Sequence, residues 1–150
     1  MSKAFTSEET PDTDPLIRPA PRLAPGEVRY VTPEGQAGLR ELLARLRAAR
    51  DPRAIQVEQT LAVLTVLGPE GAPDGTVAFG GWVTVRDEAG TRSTWRIVGP
   101  DEADPRRGQV SAHSPVGRAL LGREVGDSVE VERPGGRVVL EVVEVRRRLD

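Results

Sequence analysis

The chain has 150 residues, with 21 basic and 23 acidic side chains, a formal net charge of −2 and no cysteine. That length allows one ordinary domain, or a small domain with an appendage. The charge balance argues against a bulk electrostatic grip on nucleic acid, and the lack of thiols removes any disulfide framework or thiolate zinc site.

No apolar run approaches the ~18–20 residues needed to span a bilayer, and MSKAFTSEETPDTDP lacks the basic-then-apolar order of a signal peptide. A cytoplasmic protein without membrane contact is therefore expected. Two Trp, two Phe and one Tyr are scant material for a base-stacking platform, so strong direct nucleic-acid binding is not expected either. The modest core and few aromatics suggest a monomer.

Residues 1–30 carry prolines at 11, 15, 19, 21 and 25 and little to bury, which predicts a disordered tail. Residues 31–67 read as a short helical hairpin. Thr32 is placed as an N-cap, Pro33 suits the first helical position, and Glu34 faces the positive helix end. Leu39, Leu42, Leu43 and Leu46 recur at helical spacing until Asp51-Pro52 breaks the pattern. A helix over Pro33 to Ala49 would be about 25 Å long. For Ile55 to Leu67 the seam Val57, Leu61, Leu64 favours a second helix, although LAVLTVL is β-branched enough to pass for a strand. GPEGAPDG (68–75) reads as a linker.

From Thr76 to Arg148 the pattern changes to strands. GGWVTVRD (80–87) and RSTWRIV (92–98) flank turn residues, and GQVSA (108–112) could be a short strand. Ser114-Pro115 makes a cap and first-turn pair for a helix that Gly122 can end. SVEVER (128–133), PGG (134–136) and RVVLEVVEVR (137–146) form a hairpin, with Val138, Leu140 and Val142 on one face and Val139, Val143 and Val145 partly on the other. The expected fold class is α+β: a helical hairpin, then an antiparallel sheet of about five strands with one short helix packed on it.

Few residues could carry chemistry. His113 adjoins Ser114, but adjacent side chains in an extended segment diverge, so a helix cap beside an exposed imidazole is the simpler reading. PDEADP (100–105) brings three acids into one turn. Without a GxxxxGK[ST] loop it is no helicase motif, and it reads as a solvated loop, not a metal site. PGG and GPEG lack the lysine and the strand–loop–helix context of a phosphate cradle, and RRR at 146–148 reads as a solvated charge run. No nucleophile, base and oxyanion donor come together, so neither an enzyme nor a cofactor is indicated.

Several phrases carry a resemblance. RIVGPDEAD (96–104), the G-x-[IV]-S pattern at Gly108–Ser111, SP-x-x-x-ALLG (114–122), VGD (125–127) and PGG (134–136) occur in order, with FGGWVTV (79–85) upstream. This half of the chain resembles the C-terminal domain of the Gre transcript-cleavage and elongation factors of bacterial RNA polymerase. YVTPEG (30–35) followed by LRELLARL resembles the opening of their N-terminal helix.

The resemblance implies an FKBP-like C-terminal domain that docks on RNA polymerase at the rim of the secondary channel. It implies that Ser114 and Pro115, together with His113 where the family commonly has Asp or Asn, lie in the docking surface. Relatives with cleavage activity resemble one another in a long coiled coil tipped by an acidic loop of the kind GDLSENAEY, whose carboxylates help hold magnesium at the polymerase active centre. This turn offers Asp51 only, among Arg47, Arg50 and Arg53. The expectation is a polymerase-binding elongation regulator without cleavage stimulation, similar in design to the short-armed relative Rnk. The alternatives are an active cleavage factor and a protein-binding module with another partner. A prolyl isomerase would need an aromatic-lined pocket for the proline ring.

Overall fold

The computed structural model describes residues 14–148, and the chain forms two compact units, Met1–Val66 and Leu67–Asp150. The first is built around helices α1 (Pro33–Ala48) and α2 (Ala54–Val63). Thr32 is fully buried, and its Oγ1 accepts the Gly35 N–H at 3.0 Å ahead of Pro33. One orphan donor of the helix start is thus satisfied by a side chain. Leu39, Leu42 and Leu46 are buried with Val57 of α2, and Leu43 and Leu61 pack around them. Each such leucine contributes roughly 1.5–3 kcal/mol by leaving water. The turn between the helices carries the burial of neither, so α2 depends on this seam.

Helix α1 ends in a Schellman arrangement. Asp51 N–H donates to Leu46 O at 2.9 Å and Arg50 N–H to Arg47 O at 3.0 Å, with Arg50 left-handed at φ 55°. That conformation costs a non-glycine residue roughly 1–2 kcal/mol.

The expectation of helix through Leu67 is corrected here. Helix α2 stops at Val63, and Leu64–Val66 form strand β2, parallel to β1 (Arg29–Val31) with Arg29 opposite Leu64 and Val31 opposite Val66. Leu64 takes an extended backbone with ψ 145°, and the β-branched pair Thr65-Val66 suits a pleated surface. Of the expected tail 1–30, residues 1–13 lie outside the described residues. Leu16 and Ile17 pack against the helix core, and Asp14 pairs with Arg45 at 3.0 Å.

The second unit is a five-stranded sheet in the order β5-β4-β3-β7-β6 with one helix on it. Its strands are β3 (Trp82–Arg86), β4 (Arg92–Val98), β5 (Gln109–Ser111), β6 (Ser128–Arg133) and β7 (Gly136–Arg146), and the helix is α3 (Pro115–Leu120). The mixed α+β reading holds. Two details are corrected. The sheet is not wholly antiparallel, because β5 runs parallel to β4 with Arg96 opposite Gln109 and Val98 opposite Ser111. The segment between them carries the chain back to the level of Arg96, so β5 sets off in the same direction as β4. Val145 also changes face. Thr84 pairs with Glu144 but Val85 with Val142, which leaves Val143 as the extra residue of a bulge. A bulge inverts the alternation beyond it, so Val145 packs into the core with Val138, Leu140 and Val142.

Val83, Val85, Ile97, Val129, Val131, Leu140 and Val142 fill that core under Leu120 of α3, which is fully buried. Leu120→Ala should destabilise the second unit by ~2–5 kcal/mol, the cost of an unrelaxed cavity. Urea unfolding followed by Trp82 and Trp95 fluorescence measures it, and a change below ~1 kcal/mol would show that α3 is not anchored through this residue.

Candidate functional site

In the second unit the candidate site is the turn that starts α3. Ala112 is buried, and its N–H donates to Val98 O at 2.7 Å, which ties the turn to β4. Ser114 then works in both directions. Its Oγ accepts the Gly117 N–H at 3.0 Å as the helix cap, and its own proton goes to Ser111 O at 2.7 Å. The Ser114 N–H donates to the same carbonyl at 3.0 Å, and the His113 N–H donates to Ser111 Oγ at 3.0 Å. A hydroxyl so committed is a structural pivot and not a nucleophile primed by His113. His113 and Pro115 on either side are exposed, while Ser114 is half-buried. The three sequence-predicted docking residues thus form one continuous surface, two members facing solvent around a fixed centre.

Gly117 was not singled out from sequence, yet it sets the position of the whole turn. A Cβ there would sit deep inside the contact distance of Ser111 O, 2.9 Å from its carbonyl carbon and 3.0 Å from Ala112 Cα. The signal was available in sequence as a glycine inside a short helix, where it costs ~1 kcal/mol against alanine unless packing requires it. Gly117→Ala should therefore go against helix propensity and destabilise by ~1–3 kcal/mol, as overpacking does. Thermal or urea melts of this variant would contradict the packing if it proved more stable than wild type.

The acidic turn is buried, contrary to the solvated loop expected. Asp101, Glu102 and Asp104 are 6%, 5% and 7% exposed. The Gly99 N–H donates to Glu102 Oε2 at 2.8 Å, and Asp104 Oδ1 accepts the Arg106 N–H at 3.2 Å and its guanidinium at 3.3 Å. The hydrogen bond from the Arg106 side chain, ahead of its backbone N–H, holds the Asp104 carboxyl below the usual carboxylate range. These carboxylates fold the return from β4 to β5. No group of three His, Cys, Asp or Glu able to hold a metal occurs among the described residues. Nor is RRR a free charge run. Arg147 pairs with Asp74 at 2.8 Å, Arg148 lies 3.4 Å from Glu70, and Arg146 pairs with Glu144. Exposed pairs of this kind contribute roughly 0–1 kcal/mol each, enough to bias the 68–75 loop and little more.

In the first unit the feature of interest is the α1–α2 turn. Asp51 Oδ1 accepts the Arg53 N–H at 2.9 Å and Arg53 Nε at 3.0 Å, and Oδ2 meets the second guanidinium nitrogen at 2.5 Å. This bidentate grip, above all the side-chain hydrogen bond, lowers the Asp51 pKa from 3.8 to about 2. Arg47 is paired with Glu58 at 2.9 Å. Both Asp51 carboxylate oxygens are engaged by Arg53, and three guanidiniums lie within a few residues. Because the folded pKa is depressed, the Asp51–Arg53 contact supports the fold fully above pH 3.8 and is lost as pH falls through about 2. Carboxyl titration by NMR should place Asp51 near 2, and Arg53→Ala should return it toward 3.8.

With these sites in view, comparison with known proteins is decisive. The family described as "Transcription elongation factor, GreA/GreB, C-term" matches residues 72–147. The chain belongs to the GreA/GreB family. It is 38% identical to transcription elongation factor GreB of Yersinia pestis, over 76% of this chain and 62% of that protein. It is 44% identical to GreA of Desulfovibrio desulfuricans over 63% of this chain and 59% of that one. The chain thus spans about three fifths of the length of these curated relatives. Against GreA of Alkalilimnicola ehrlichii it is 36% identical, over 77% of this chain and 96% of that protein. That alignment runs over 151 positions, more than the whole of this chain, so stretches of the relative have no counterpart here. Among solved structures, the GreA/GreB factor from Nitrosomonas europaea superposes with a TM-score of 0.46 at 30% identity, covering 79% of this chain and 98% of that one. The family match takes in both the α3 turn and the acidic loop, and begins after the first unit.

Proposed function

We propose that this protein regulates transcription elongation by binding bacterial RNA polymerase, without itself being an enzyme and without stimulating transcript cleavage. The second unit is read as the FKBP-like docking domain of the Gre family. Its contact surface would be His113, Ser114 and Pro115 on the rim of the secondary channel. The first unit is read as a shortened helical arm. Its relatives' names speak of transcription elongation, and the family match over the second unit supports the same partner. No helix among the described residues is long and apolar enough to cross a membrane, which is compatible with action beside a cytoplasmic polymerase.

One observation carries the loss of cleavage: the acid at the arm's turn, Asp51, is spent on Arg53. A magnesium ion takes hard oxygen ligands in near-octahedral geometry and needs carboxylates free to converge. Asp51 is bidentately held, and Arg50 places further positive charge beside it, which repels a cation. Reach points the same way. Helix α1 has 16 residues, about 24 Å at 1.5 Å each.

Purified protein added to a stalled, backtracked elongation complex should leave the RNA cleavage rate unchanged, while a pull-down on the wild-type chain should retain polymerase. Pro115→Ala should weaken that capture. Accelerated cleavage would overturn the proposed lack of activity, and wild-type protein that fails to retain polymerase would overturn the docking.

A further inference from the structure

Arginine at position 50 is an anomaly. The Schellman end of α1 requires a left-handed residue there, a place usually filled by glycine, which adopts it without a Cβ clash. Glycine does fill the left-handed positions at 26, 75, 80, 90, 108, 122, 126 and 136. Among the described residues, Arg50 is the one non-glycine residue with positive φ. The backbone job of this position needs no guanidinium and would be done better without one. Strain kept at one residue, where the rest of the chain avoids it, points to a use for the side chain.

The neighbouring charges narrow that use. Of the four arginines between 45 and 53, Arg45 is paired with Asp14, Arg47 with Glu58 and Arg53 with Asp51. Arg50 is exposed, and among the described residues its guanidinium makes no ion pair or hydrogen bond. Among the described residues the turn therefore offers one uncommitted guanidinium, held on the backbone closed by the two hydrogen bonds that end the helix. A single planar fork matches one carboxylate bidentately. A nucleic-acid backbone would instead be met by a row of unpaired cations on a basic surface, and this chain carries a net charge of −2.

We propose that Arg50 is a partner-contact residue whose guanidinium docks on a surface carboxylate of a protein partner. This rests on the reading that the partner is RNA polymerase. The contact is the charge inverse of metal recruitment: the turn brings a cation to an acidic surface instead of bringing acids to a cation.

The full chain, Arg50→Gly and Arg50→Lys are to be titrated against core polymerase free of nucleic acid, at low and physiological salt, alongside thermal melts. Arg50→Gly should melt at the same or a higher temperature, since glycine relieves the left-handed strain, yet bind on the order of tenfold more weakly. Arg50→Lys should bind between the two, keeping charge without the fork. The difference between wild type and Arg50→Gly should shrink as salt rises. Equal binding by wild type and Arg50→Gly overturns the inference while leaving polymerase docking intact. An Arg50→Gly chain that melts at a lower temperature also overturns it, because the arginine would then be structural. A defect seen only with complexes containing nucleic acid would assign the contact to phosphate and overturn the carboxylate partner. Wild-type protein that binds no polymerase removes the underlying docking reading instead.

Discussion

The second unit depends on a close approach: the α3 backbone at Gly117 rests directly against the carbonyl of Ser111. No side chain fits in that gap, so helix and strand meet backbone to backbone. Everything presented at the α3 turn follows. Ser111 O receives two hydrogen bonds from Ser114, Ser114 closes the helix start, and His113 and Pro115 are left facing outward on a frame with little freedom. The strand that carries Ser111 is in turn held by the β4–β5 pairing, and the segment feeding that pairing is folded by Glu102 and Asp104. Buried carboxylates several residues away thus fix where an exposed proline sits.

A shared economy of charge runs through both units. Acids that could have been mistaken for ligands are consumed by local partners: Asp51 by Arg53, Asp104 by Arg106, Glu102 by the Gly99 amide. A carboxylate with its lone pairs already occupied is a poor metal ligand and a poor base. The polar groups left facing solvent at the α3 turn are those of His113 and its neighbours.

Much of this was legible in sequence, and the misses share a cause. Thr32-Pro33 and Ser114-Pro115 announce helix starts because capping is local chemistry, and both caps are made by the expected hydroxyls. The strands around Trp82 and Trp95 followed from β-rich runs on either side of turn residues. Three features depended on distant pairing instead. Val145 changes face because of a bulge that only the register against β3 reveals. Leu64–Val66 became a strand because β1 lies beside it, which overrides an ambiguous local preference. Asp101, Glu102 and Asp104 read as a wet loop because composition cannot tell whether a charged turn folds over its own amides. For the α3 turn, the Ser114 cap was legible and the close approach was not, since the need for Gly117 arises only from the strand it meets.

The parallel pair β1–β2 has a consequence for how such a protein can change over time. The strands enter and leave α1 and α2 side by side at one end of the helices, while the turn at Ala49–Arg53 lies at the other. The base is therefore closed independently of whatever length of helix stands on it. Whole turns can be added or removed at the far end with the base pairing untouched, much as a telescoping rod changes reach without changing its mount. Helix length and closure of the base are thus separable properties of the first unit.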